Sequence, residues 1–240
     1  VIRRARMSVA LARHDLAGAL EQAGRLSVAY PKEVDSWSVL AQANAAVGRW
    51  EQATQACSRA AAIAPSRIDL RILAAEIQLK QAGKAAEASR AYAAILQEPG
   101  FSRVQGRAQV VADAAVAALE AGSPTEAIAL ADQALAIDKG NAPASLTKAR
   151  ALMASGQGDL AEAALRDVDS GQLVGLEGAR WHVGAARIYM SLDRERLAVT
   201  ELASARQEDP FWQDAALESA AVRLKVGNLS GALEEVEAGA

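Results

Sequence analysis

The feature that most constrains this chain is a punctuation mark that returns along its length: a turn-forming residue followed five residues later by alanine. His14/Ala19, Gly48/Ala53, Gly83/Ala88, Gly122/Ala127, Gly158/Ala163, Asp193/Ala198 and Gly227/Ala232 all fit it, with the alanines 34, 35, 39, 36, 35 and 34 residues apart. The clearest copy runs from Trp37 to Pro65. There Trp37, Leu40, Ala41 and Asn44 fall on one stripe at i, i+3, i+4 and i+7, the spacing of a helix with one buried face. Gly48 breaks that helix, and Ala53, Cys57 and Ala60 form a second stripe. Pro65 ends the second helix because proline cannot donate the next backbone hydrogen bond. A helix pair of about 30 residues cannot bury its own apolar face, so such a unit needs neighbours of its own kind.

The expected architecture is therefore all-α, a right-handed α-solenoid (superhelix) of antiparallel helix pairs. Its units span approximately residues 1–32, 33–66, 67–102, 103–141, 142–171, 172–211 and 212–240 of a single 240-residue array. The first and last units look incomplete, as in a fragment of a longer protein, and leave apolar faces able to drive self-association. Apolar residues make up 51% of the chain but aromatics only 4%, so alanine carries the packing and lets helix backbones approach closely.

Two units depart from the series. Extra residues around Glu98-Pro99-Gly100-Phe101-Ser102 stretch one period, placing a corner there. In the fifth pair, the turn Gly156-Gln157-Gly158-Asp159 is expected to be about two residues longer than the others. Asp167 and Ser170 then stand where Cys57 and Ala60 sit, making this the weakest unit. At Ser123-Pro124, a serine cap and a proline at the first helical position predict a strong helix start, with Glu126 two residues further on.

Several classes of function find no support. A net charge of −3, with 26 basic and 29 acidic side chains spread along the chain, gives no electrostatic footprint for nucleic acid. Arg3, Arg4 and Arg6 read as the exposed edge of a helix. No stretch is long and apolar enough to insert directly in a membrane. One cysteine, Cys57, makes no internal disulfide, and with two histidines, His14 and His182, there is no spacing for a metal site; no cofactor is expected. Gly156-x-Gly158-x-x-Ala161 echoes a dinucleotide fingerprint but follows a helix, where amides are not aimed at a pyrophosphate. Asp167 and Asp169 read as solvated. No enzyme site emerges.

The pattern resembles the tetratricopeptide repeat. That family's signature places are held by Trp37, Leu40-Ala41, Asn44, Gly48, Ala53, Cys57, Ala60 and Pro65, and the resemblance runs over essentially the whole chain. It implies a scaffold for a protein or peptide partner, with the first helix of each pair lining a concave groove. Carried over to the second, fifth and ninth positions of those helices, it implies Asp35, Ser38 and Gln42; Gln109, Ala112 and Val116; Arg180, Val183 and Arg187; and Asp214, Leu217 and Ala221. Leu73 and Ile77 are the expected groove residues of the third unit, and Leu146 and Arg150 of the fifth. The middle of this groove is small and apolar. Toward its C-terminal half Arg150, Arg180 and Arg187 form a cationic stripe suited to carboxylates, unless neighbouring acids such as Glu177 hold them. The family's clamp for chaperone tails needs Lys and Asn where Ser38 and Gln42 stand, so that role is not implied. Two rival readings remain: the repeat portion of a bacterial envelope export or polysaccharide-secretion assembly, and a non-catalytic domain of a larger enzyme. The compartment, cytoplasmic or periplasmic, is left open.

Overall fold

Where a first helix meets its partner, the backbone turns through one residue with positive φ. At Gly48 that φ is 73°, a conformation glycine adopts without the clash a Cβ would bring. The following amide, of Arg49, reaches back to the carbonyl of Asn44 at 2.9 Å. The same bond recurs from Ser123 to Ala118, from Gln157 to Leu152 and from Arg194 to Tyr189. This is the left-handed helix stop, in which an amide beyond the helix end satisfies an orphaned carbonyl of the last turn. Asp193 is the single non-glycine residue with positive φ among the described residues, at 56°.

The computed structural model describes residues 16–167, 173–209, 213–225, 227 and 231. Among them are twelve α-helices and no strand, so the fold is an all-α repeat of helix pairs. The expected first helix over residues 1–12, with Arg3, Arg4, Arg6, His14 and the Asp15 cap, lies outside the described residues. So do Asp169, Ser170 and the last turns of the seventh unit.

The chain divides into two compact units, residues 1–105 and 106–240. The first contains α1 (Leu16–Ala29), α2 (Val34–Ala46), α3 (Trp50–Ile63), α4 (Ile68–Lys80), α5 (Ala85–Leu96) and a 3₁₀ turn (Phe101–Arg103). The second contains α6 (Arg107–Glu120), α7 (Pro124–Ile137), α8 (Ala142–Ala154), α9 (Gly158–Arg166), α10 (Gly175–Ser191), α11 (Glu195–Glu208) and α12 (Gln213–Lys225). The corner at Pro99 falls at the end of the first unit.

Within each pair the closest approach is made by an alanine. Ala19, Ala53, Ala88, Ala127, Ala161 and Ala198 are all fully buried, at 0% exposure. One turn on, Ala23, Cys57, Tyr92, Ala131, Leu165 and Leu202 are likewise buried. Burial pushes the Cys57 thiol up, and its Sγ donates to the Leu70 carbonyl at 3.4 Å, joining α3 to α4. Trp37, half-buried, caps that same cluster; its indole donates to the Pro31 carbonyl at 2.8 Å and Arg59 lies over its ring at 4.6 Å.

Three expectations are corrected here. The fifth turn is Ser155-Gly156-Gln157, no longer than Val47-Gly48-Arg49. Gly156, with φ 73°, is its turn glycine, and the buried alanine is Ala161; Gly158 already belongs to α9 and Ala163 faces solvent. Leu165, buried, therefore stands at the Cys57 place. Finally, Ser123 occupies the cap position of α7 without a side-chain cap, whereas Asn141 caps α8 by accepting from the Ala144 amide at 2.9 Å.

Candidate functional site

In the second unit the first helices pack against one another in succession, α6 on α8, α8 on α10 and α10 on α12. Each thus offers one outward stripe beside that of its neighbour. Between α8 and α10 the stripes part into a cleft of about 670 Å³. Leu146, Arg150 and Met153 line it from α8; Arg180, Val183, Gly184, Arg187, Ile188 and Ser191 line it from α10. On α10 these recur at i, i+3, i+4, i+7, i+8 and i+11, one face of the helix running about 16 Å at 1.5 Å per residue.

Gly184 sets the floor. A Cβ there would lie 2.8 Å from Leu146 Cδ1, so glycine lets the leucine press onto the α10 backbone. Behind the floor, the buried Trp181 donates from Nε1 to Ser145 Oγ at 2.9 Å, and Ser145 donates to the Ala142 carbonyl at 2.9 Å, tying α10 to α8. His182 stands edge-on to Trp181, and its Nδ1 lies 2.6 Å from Glu201 Oε2 on α11. Side chains on either side of Trp181-His182 are thereby fixed on a rigid base.

The three arginines differ. Arg187 is held by Glu218 of α12, with Nε at 2.8 Å and Nη2 at 2.6 Å from the same carboxylate oxygen. Arg150 and Arg180 are exposed and make no ion pair among the described residues. Glu177, the acid expected to compete for them, holds neither. Below the α9 end a separate network consumes charge: Glu162 pairs with Arg166 and, at 3.2 Å, with Arg194. The Arg166 guanidinium, then that of Arg194, holds the Glu162 carboxyl below the usual range.

The remaining groove residues are placed differently. Ala112 is fully buried and Val116 half-buried on α6, and Leu217 of α12 is 57% exposed. In the first unit, Ser38 is half-buried and Gln42 exposed on α2. Leu73 and Ile77 are buried in the core with Ala53, Ala56 and Cys57, so they present nothing outward. The turn after α4 spans residues 81–84, one residue more than after α2; Ile72 is buried like Leu73, and Glu76 is half-buried. Asp35 pairs with Arg67 at 2.8 Å, and Arg67 also pairs with Asp69, holding the Asp69 carboxyl low. Met153, Gly184, Ile188 and Ser191 were missed by the position rule, yet they follow from the cleft stripes at i+3 and i+4.

Among the described residues no group of three His, Cys, Asp or Glu side chains could hold a metal ion, and no helix is long and apolar enough to cross a membrane. A larger hollow of about 940 Å³ runs along α1, lined by Leu16, Leu20, Gly24, Val28 and Val47; the chain before Leu16 lies outside the described residues.

Residues 118–170 match the family model described as Tetratricopeptide repeat. No curated protein sequence matches the chain. Among solved structures, the chain is similar to PilW, a widely conserved type IV pilus biogenesis factor, with TM-score 0.74 and 17% identity over 92% of this chain and 96% of that one. It is also similar to a tetratricopeptide repeat protein from Parabacteroides merdae, with TM-score 0.71 and 14% identity over 99% and 90%. The third is PilF of Pseudomonas aeruginosa, with TM-score 0.65 and 15% identity over 93% and 97%. At these identities the likeness is one of fold.

Proposed function

We propose that this chain, a tetratricopeptide-repeat protein, is a non-catalytic scaffold that captures a segment of a partner protein on the outward stripes of its first helices. The observation that carries this reading is the cleft between α8 and α10. It combines an apolar floor of Leu146, Val183 and Ile188 with unpaired guanidinium groups above it, the mix of anchoring and orienting groups that a peptide site needs.

Changing Arg150, Arg180 and Arg187 together to Glu should abolish capture of the partner from the native source and leave the helical circular dichroism unchanged. Capture at the wild-type level would overturn the assignment of this cleft. A second reading, as the repeat portion of a bacterial envelope export or polysaccharide-secretion assembly, draws on the likeness to the pilus biogenesis factor PilW. Mass-spectrometric identification of the captured partner separates it from a scaffold of other purpose.

A further inference from the structure

We infer that the α8/α10 cleft recognises an extended, acidic segment of a partner protein, with two side-chain carboxylates three residues apart and an apolar residue between them, and that Glu218 stands in for the second carboxylate when the cleft is empty. The inference rests on the scaffold reading and names the chemistry of its partner.

The argument begins with charge. Two guanidinium groups, Arg150 from α8 and Arg180 from α10, rise at the same cleft without an anion among the described residues, and the walls between them are apolar. A guanidinium binds a carboxylate through two parallel hydrogen bonds, and walls that exclude water strengthen the pair. The natural ligand of this end is therefore anionic. Seven residues along α10, about 10 Å away at 1.5 Å per residue, Arg187 already holds a carboxylate, that of Glu218. The molecule itself thus shows what the far end of the cleft accepts.

The spacing then selects the ligand. In an extended polyproline II segment, with three residues per turn and a rise of about 3.1 Å per residue, side chains three residues apart point the same way about 9 Å apart, close to the spacing of Arg180 and Arg187 along α10. Between them Val183, Gly184 and Leu146 form an apolar floor, which suits one aliphatic side chain of the bound segment. Nucleic acid would offer phosphates, but it would meet this floor with sugars and a chain whose net charge is −3.

Because Glu218 belongs to α12, a ligand carboxylate at Arg187 must displace it. Glu218 is then an internal competitor that sets the affinity for acidic segments. Removing its charge frees Arg187 without touching the cleft walls.

The test is fluorescence anisotropy with the full chain and a labelled, C-terminally amidated ten-residue peptide carrying a central Glu-Leu-Ser-Glu among Gly and Ser. Wild type should bind it in a salt-dependent manner and bind the Gln-Leu-Ser-Gln version at least tenfold more weakly. Arg150→Gln with Arg180→Gln should weaken the acidic peptide by on the order of tenfold or more. Arg90→Gln, at an exposed arginine of α5, should leave it unchanged. Glu218→Gln should tighten binding several-fold. Equal binding of the acidic and neutral peptides overturns the inference while leaving the scaffold reading intact, since the cleft would still hold a peptide. Failure of wild type to bind either peptide, preference for a single-stranded oligonucleotide, or unchanged affinity in the double variant also overturns it. Weaker binding by Glu218→Gln overturns the competitor role.

Discussion

The α2/α3 hairpin of the first unit and the α8/α9 hairpin of the second are built on the same turn and the same buried alanine, yet their outward chemistry differs. Gly48 and Gly156 share a φ of 73°, and Ala53 and Ala161 are equally sealed. At the fifth and ninth positions of the first helix, however, the first hairpin has Ser38 and Gln42 where the second has Leu146 and Arg150. In the first unit Arg67 bridges Asp35 and Asp69. The second leaves Arg150 and Arg180 without an acid among the described residues. Residues that make the pair are thus held constant, and residues that face outward are free to specialise. On the proposed reading, the copy with outward arginines is where a ligand finds attraction.

The sharpest way to break this comparison is to attack the base beneath each face. Trp181→Ala removes a buried ring and the donor to Ser145, and should cost about 3–5 kcal/mol in urea unfolding. Trp37→Ala, at a half-buried ring on the rim of its cluster, should cost less than half as much. Equal losses would show that the second unit has no firmer base than the first.

The register of the fifth unit is tested next. Ala161→Leu forces three extra carbons into the α8/α9 contact and should destabilise by about 1–3 kcal/mol, whereas Ala163→Leu, on the solvent face, should be close to neutral. The reverse order would restore the Gly158/Ala163 register. Smaller still, Gly156→Ala should cost about 1–2 kcal/mol because its φ is positive. Gly158→Ala should cost less than that, since the new Cβ meets only the tip of Leu192, which can turn aside.

The weakest effect concerns acid. Glu162 and Asp69 have carboxyls held low by arginine partners, so each stabilises the fold above its ordinary pKa and ceases to do so as pH falls through its lowered value. Glu162→Gln should therefore lower the thermal midpoint at pH 7 slightly and narrow the difference between pH 7 and pH 3. An unchanged pH dependence would mean that the α9 network is immaterial to stability.

The ambiguity of the fifth unit explains how much of the molecule could be read beforehand. Helix pairs, turn glycines and sealed alanines all leave a periodic trace, and the all-α repeat was legible from them. Gly156 and Gly158 are each followed five residues later by an alanine, so pairwise punctuation allows two registers. Only the further match of Leu165 to the Cys57 place decides between them. In the third unit the expected groove residues Leu73 and Ile77 fall in the core, where the turn after α4 is one residue longer than that after α2. Arg150, Arg180 and Arg187 came out together because the family resemblance carries them onto groove positions of successive first helices. The hold of Glu218 on Arg187 did not, being a contact across 31 residues between neighbouring pairs. Arg67 with Asp35 and Arg194 with Glu162, each 32 residues apart, are of the same kind. Such near-period ion pairs join units and leave no local trace.

The central claim is that the outward face of α8 and α10, and not that of α2, holds the partner. Hydrogen–deuterium exchange of the full chain with and without the acidic peptide tests this directly. Slowed exchange at residues 146–153 and 180–191, with residues 34–46 unchanged, is the expected result. Slowed exchange at residues 34–46 with none in α8 or α10 would contradict the account.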